Sequence, residues 1–184
     1  IISRAIRGLS YEGMLCHANP TGSWYHFKEN RFTTVKRWLG AREPKRLDEN
    51  QARGALFERY LAGYGPATLQ DFSYWTGLKA NEVREAFEVI RDKLVEVRIR
   101  DVKGTYWIPV EQADALTSTE ESTDSPVRFL PEFDPLLMGH KDKSRIMDDK
   151  YRKYVFLRLA DVAPTILFRG RVRGTWNYSF ADRS

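Results

Sequence analysis

Cysteine is all but missing from this 184-residue chain: Cys16 stands alone, which excludes an intrachain disulfide and fits a reducing, cytoplasmic setting. Histidine is scarce as well, with only His17, His26 and His140. Cys16, His17 and His26 form the one cluster of metal-ligating side chains. Cys16 and His17 are neighbours in a strand-like run and point to opposite faces, so they are not expected to share an ion. Long apolar runs are absent too. None approaches the roughly 18 residues needed to span a bilayer, and no signal peptide opens the chain. No membrane partner, metal or cofactor is therefore expected, and the oligomeric state stays open.

What is present suffices for a folded core. Hydrophobic residues make up 42% of the chain, with five Trp, enough for one large or two small domains. The formal net charge is +5, which permits an anionic partner. Its distribution is more telling. Residues 1–47 carry nine basic and three acidic side chains, residues 48–110 nine and ten, residues 111–135 one and seven, and residues 136–184 eleven and five. The chain is basic at both ends and acidic between.

The segment from Tyr60 to Leu94 reads as two helices joined by a tight turn. Thr68 can cap the first, with Asp71 three residues on as in a capping box. Leu69, Phe72 and Trp75 form its apolar stripe, and Gly77 closes it with Leu78 just beyond. The second helix lines up Val83, Ala86, Phe87, Ile90 and Leu94 at helical spacing. Val95, Val97 and Ile99 then alternate with Glu96, Arg98 and Arg100. A turn at Asp101–Gly104 leads into a second strand over Thr105–Val110. Two helices and a hairpin make a winged helix-turn-helix, in which the second helix usually enters the major groove. The same arrangement also serves as a dimerisation or docking unit. The near-neutral charge of 48–110 fits a scaffold better than a phosphate-facing surface.

An echo of this pattern lies at an offset of 82 residues. Ile2, Ile6 and Leu9 read as the end of a helical stripe, Met14–His17 as a strand, Asn19–Gly22 as a turn and Trp24–Phe27 as a second strand. Gly22-Ser23-Trp24-Tyr25 matches Gly104-Thr105-Tyr106-Trp107. The expected architecture is α+β: tandem winged-helix domains, the first incomplete (1–47), the second complete (48–116), then an acidic linker (117–127) and a partial small β-barrel or β-hairpin domain (128–184). The polar stretch 111–126 is read as linker, with its carboxylates a solvated charge run and not an acid/base pair. Tyr154–Leu159 and Thr165–Tyr178 read as strands with a turn at Arg169-Gly170-Arg171. In the last strand Val172, Gly174, Trp176 and Tyr178 would share the packed face. Both ends of the chain are expected to be cut from a longer protein.

Ser144 with His140 and Asp142 has the letters of a hydrolase triad but no strand-to-helix elbow to position the serine. Gly63-Tyr64-Gly65 lacks the lysine and length of a phosphate loop. The stronger candidates are basic. Lys141, Lys143 and Arg145 on one loop, and Arg169, Arg171 and Arg173 around a hairpin tip, are of the types that contact phosphates or enter a minor groove. Arg4 and Arg7, on the helix read as a first recognition helix, and Lys36 and Arg37 beyond the first wing complete the set. Trp24, Tyr25, Tyr106 and Trp107 are expected to pack wings onto cores and not to stack on bases.

YLAGYGPATLQDFSYWTGL at 60–78 and FLPEFDPLLMGHKDKSRIM at 129–147, followed by GRVRGTWNYSF at 170–180, together resemble the winged-helix DNA-binding family that includes the AlkZ/YcaQ-type DNA glycosylases. The resemblance implies a bacterial protein of tandem winged helices and a small β-barrel, with double-stranded DNA as partner. Its glycosylase members excise cationic alkylated purines and unhook interstrand crosslinks through two glutamines, or a glutamine and an aspartate, separated by one apolar residue. That motif belongs to a domain upstream of the matched region. Here Gln51-Ala52-Arg53 and Gln70-Asp71-Phe72 have the wrong third residue, and Gln112-Ala113-Asp114 fits the spacing beyond the second wing. No catalytic residue is carried over. The expected function is the DNA-binding portion of a glycosylase-like repair protein. The alternative is a non-enzymatic regulator or docking module.

Overall fold

The computed structural model describes residues 2–19, 31–40, 47–118 and 127–178. The chain divides into two compact units, Ile1–Arg46 and Leu47–Ser184.

In the first unit, helix α1 (Ile2–Tyr11) precedes strand β1 (Leu15–His17), as the apolar stripe and the β-prone run predict. The partner of β1 is strand β2 (Phe32–Thr34), antiparallel, with Leu15 opposite Thr34 and His17 opposite Phe32. Sequence reasoning overlooked this Phe-Thr-Thr run, whose β-branched and aromatic residues suit a pleated surface. The strand expected at Trp24–Phe27, the Gly22–Tyr25 half of the repeat and His26 lie outside the described residues. Thr34 ends β2 and caps helix α2 (Val35–Leu39), its hydroxyl accepting the Arg37 amide at 3.2 Å.

The second unit begins with helix α3 (Glu49–Tyr64), capped by Asp48. It buries Gly54, Phe57, Tyr60 and Leu61 along one face. Helix α4 (Leu69–Thr76) starts with the Thr68/Asp71 capping box read from the sequence and ends at Gly77 in the left-handed conformation, φ 77°. Helix α5 (Ala80–Ile90) buries the expected Val83, Ala86, Phe87 and Ile90. Leu94, the next apolar residue of that stripe, is buried as the first residue of strand β3 (Leu94–Val97). Strand β4 (Tyr106–Pro109) pairs with it antiparallel, and all four β4 residues are buried. Reciprocal hydrogen bonds between Ala67 and Trp107, 3.2 and 2.9 Å, attach the hairpin to the α3–α4 connection.

Aromatic rings fill the core. Phe57 stacks on Phe72 with centroids 4.1 Å apart, and Phe87 meets Trp107 edge-on at 4.9 Å. Tyr106 and Trp107 are thus core residues. Each such buried side chain contributes about 1.5–3 kcal/mol of hydrophobic stabilisation.

The stretch read as linker is partly helical. Helix α6 (Ala113–Ser118) follows a 3-10 turn in which the Gln112 amide donates to the Ala62 carbonyl at 3.0 Å, a tertiary contact that composition does not signal. Residues 119–126 lie outside the described residues. Strand β5 (Arg128–Leu130), helix α7 (Pro135–Met138), helix α8 (Asp149–Val155) and strands β6 (Thr165–Phe168) and β7 (Arg171–Thr175) complete the unit. The three strands form one antiparallel sheet in the order β5-β6-β7.

Two expectations change here. Tyr154 and Val155, read as the start of a strand, are the end of α8, because Tyr151 and Val155 four residues apart pack on the sheet and packing overrides β-propensity. The β6–β7 turn is where the sequence put it, with Arg169 and Gly170 both at positive φ (50° and 71°), the signature of a two-residue hairpin loop. The alternation in β7 fails, however. Val172 pairs with buried Leu167 whereas Gly174 pairs with Ile166, so Arg173 is an extra, bulged residue and the two apolar positions end on different faces.

Gly139 sits where α7 meets α3. A Cβ there would lie 2.4 and 2.7 Å from the Tyr64 ring atoms Cδ1 and Cε1 and 3.1 Å from the Pro135 carbonyl oxygen. Gly139→Ala should therefore destabilise by about 1–3 kcal/mol through overpacking. Urea unfolding should show that loss, and a smaller one when Tyr64→Leu is already in place.

Candidate nucleic-acid interface

The geometry around the start of α4 comes from one carboxylate. Asp71 is 3% exposed. Its Oδ2 accepts the Thr68 amide and the Thr68 hydroxyl, each at 2.9 Å, while Thr68 Oγ1 accepts the Asp71 amide at 3.0 Å. Its Oδ1 accepts the backbone amide of Lys141 at 2.7 Å, across a sequence separation of 70. Burial disfavours the charge, but these donors outweigh that cost and hold the carboxyl well below the usual carboxylate range. His140 Nδ1 lies 3.8 Å from Asp71 Oδ2, beyond hydrogen-bonding reach, and 3.3 Å from Arg145 Nη2. A guanidinium only donates, so Nδ1 accepts and the amide and hydroxyl donors, not the imidazole, hold the Asp71 charge.

Further contacts tie the same two segments. The Tyr60 hydroxyl donates to the Gly139 carbonyl at 2.7 Å, and burial, reinforced by the Asp71 charge, pushes its phenol upward. Arg145 donates to the Pro66 carbonyl at 2.9 Å and lies 4.8 Å over the Tyr106 ring. Arg171 donates to the Arg145 carbonyl at 3.2 Å and pairs with Asp148, whose carboxyl it holds below its ordinary value.

A cleft of about 770 Å³ opens between the start of α4 and the β3–β4 connection. Phe87, Tyr106 and Trp107 line it on the apolar side. Gln70, Lys103 and Lys141 line it on the polar side, along with Asp71 and Asp142. The Asp142 carboxylate accepts the Ser144 amide at 2.8 Å and its hydroxyl at 3.0 Å. Both carboxylates are therefore engaged by local donors, whereas neither lysine forms an ion pair among the described residues.

The sequence-derived cations separate into two groups. Arg4 and Arg7 on α1, Lys36 and Arg37 on α2, Lys141, and Arg169 and Arg173 at the hairpin are exposed. Lys143, expected on a phosphate-facing loop, is instead buried. Its ammonium donates to the His140 carbonyl and lies 4.7 Å over the Tyr74 ring, and burial followed by the nearby Arg152 charge lowers its pKa. Arg145 and Arg171 are half-buried and spend their guanidinium donors on the chain itself. The Ser144–Asp142 contact is local, and His140 turns away from it to Asp71 and Arg145. Cys16 is a free, half-buried thiol, with neighbouring His17 exposed. Among the described residues no group of three His, Cys, Asp or Glu is placed to hold a metal, and no helix is long and apolar enough to cross a membrane.

Sequence reasoning missed Lys103 and the second role of Asp71. Lys103 gave a signal, a basic residue beside Gly104 in a turn. Asp71 gave none, because its local capping role accounts for it completely.

Asp71→Asn should cost about 2–3 kcal/mol at neutral pH, the worth of charge-assisted hydrogen bonds lost. The native carboxyl titrates below its unfolded value of about 3.9. Its stabilisation is therefore complete above that pH and disappears as the pH falls through it toward the native value. Urea midpoints of the two proteins should converge below about pH 4. A gap independent of pH would show that the charge is not what matters.

Comparison with known proteins identifies the family. A model of the family described as DNA glycosylase AlkZ-like matches residues 2–182. An interstrand DNA cross-link repair glycosylase of Streptomyces sahachiroi is 28% identical over 175 residues, spanning 93% of this chain and 45% of the relative. The solved structure of Streptomyces sahachiroi DNA glycosylase AlkZ superposes with a TM-score of 0.77 at 26% identity, over 94% of this chain and 45% of that one. The chain thus spans a little under half the length of these relatives. With small antiparallel sheets among helices, an aromatic core and a family match over almost its whole length, the chain belongs to the AlkZ-like DNA glycosylase family.

Proposed function

We propose that this chain is a DNA-holding portion of a glycosylase-like protein that acts in the repair of alkylated or crosslinked DNA. The observation that carries the proposal is the family match over residues 2–182. The separation of the cations supports it: those left exposed lie on α1, α2, the 139–147 loop and the β6–β7 tip, while the cations needed internally are buried or paired.

In this reading α3, α4, α5 and the β3–β4 hairpin form a complete winged helix over 48–116. Residues 1–47 supply the recognition helix and wing of an earlier one, and the β5-β6-β7 sheet within 128–184 belongs to a small barrel. Arg4, Arg7, Lys36, Arg37, Lys141, Arg169 and Arg173 contact the phosphates of double-stranded DNA. Breaking an N-glycosidic bond requires a group that positions water and stabilises a positively charged sugar in the transition state. The glutamine-containing triplets do not supply the motif: Gln51-Ala52-Arg53 and Gln70-Asp71-Phe72 have the wrong third residue, and the Gln112 side-chain amide, beyond the second wing, donates to the Ala62 carbonyl. The chain holds the duplex, and catalysis belongs to residues outside it.

Titration of labelled duplexes should show binding that weakens steeply with salt and varies little with sequence. Incubation with alkylated duplex should release no base. Salt-insensitive or absent binding, or base release by the chain unaided, contradicts the proposal. A strong preference for one selected sequence would point to a regulator.

A further inference from the structure

We infer that the second unit grips the nucleic-acid backbone with the cleft between the start of α4 and the β3–β4 connection, through Lys103 and Lys141, and not with the exposed face of α5. The inference rests on the DNA-holding role proposed above and assigns its contact surface.

Helix α5 is the element that the helix-turn-helix arrangement would send into the major groove. Its charge does not suit that position, because Glu82, Glu85 and Glu88 stand against Arg84 alone. Glu82 is held by Arg53 at 2.8 Å, and Arg84 is turned back to the Ala80 carbonyl at 3.3 Å. A phosphate chain approaching this face meets net negative charge, and like charge costs affinity at close range.

The cleft differs in offering cations that no carboxylate pairs. Its two carboxylates keep their charge but are turned onto donors from the chain, Asp71 onto the Thr68 and Lys141 amides and Asp142 onto Ser144, and neither pairs with a lysine of the cleft. Its lysines come from different segments, Lys103 from the β3–β4 connection and Lys141 from the loop docked on Asp71, and both are exposed. Phe87, Tyr106 and Trp107 line the cleft as buried core rings and leave the contacts to the lysines. Because those contacts are to phosphate, the cleft binds without reading sequence.

The test measures the salt dependence of affinity of the whole chain for a labelled, lesion-free, mixed-sequence duplex. Each phosphate contact contributes about 0.9 to the slope of log K against log salt, so Lys103→Gln with Lys141→Gln should lower the slope by about 2, and Lys103→Gln alone by about 1. Both substitutions leave the Lys141 amide on Asp71 and the fold intact. Arg84→Gln should change nothing. An unchanged slope in the double variant, or an equal loss with Arg84→Gln, overturns the cleft assignment while DNA holding stands. Absence of salt-dependent binding by the unmodified chain overturns both.

Discussion

The second unit depends on a buried carboxylate that does two things at once. Asp71 closes the capping box that starts α4, and its other oxygen takes the Lys141 amide from a loop 70 residues away. A buried charge is costly unless its lone pairs are filled, and here the local cap and the distant amide are both needed to fill them. Secondary structure and tertiary docking are thus coupled through one side chain. Tyr60 on Gly139, Arg145 on Pro66 and the close fit of Gly139 against Tyr64 extend the same contact. Helices built from residues 49–90 and the sheet built from residues 128–175 therefore meet across a polar, well-satisfied seam flanked by two separate apolar cores.

That seam explains why cations close in sequence have such different fates. Within 141–145, Lys143 is drawn under Tyr74 and Arg145 is drawn over Tyr106, so both stop being surface charges. Lys141 offers its backbone to Asp71 and keeps its ammonium in solvent. The docking thus spends two of three cations on structure and leaves the third lining the cleft that Lys103 also lines. Composition counts all three alike.

Local signals made much of this fold legible. The Thr68/Asp71 box, the Gly77 cap, the α5 stripe, the β3–β4 hairpin and the Arg169-Gly170 turn each carry their information within a few residues. What escaped needs contacts distant in sequence. Helix α3 has apolar residues around much of its circumference, with Leu56 exposed beside buried Phe57, so periodicity does not declare its face. The Tyr-rich end of α8 has strand propensity that only packing on the sheet overrides, and β5 is a three-residue run with meaning only beside β6. Lys143 looks like surface because burial of a lysine depends on what other segments bring to it. The candidate site was legible as a basic loop but not as a cleft, since its second lysine comes from the hairpin.

Native-state hydrogen exchange tests the coupling most directly, by comparing amides in α5, such as Ala86 and Phe87, with those of Leu167 and Val172 in the sheet. If the Asp71 seam joins the two cores, both sets open together with the same free energy in the unmodified chain, and Asp71→Asn lets the sheet amides exchange at lower cost than those of α5. Independent opening of the sheet in the unmodified chain, or an Asp71→Asn variant in which both sets still open together, would contradict the account.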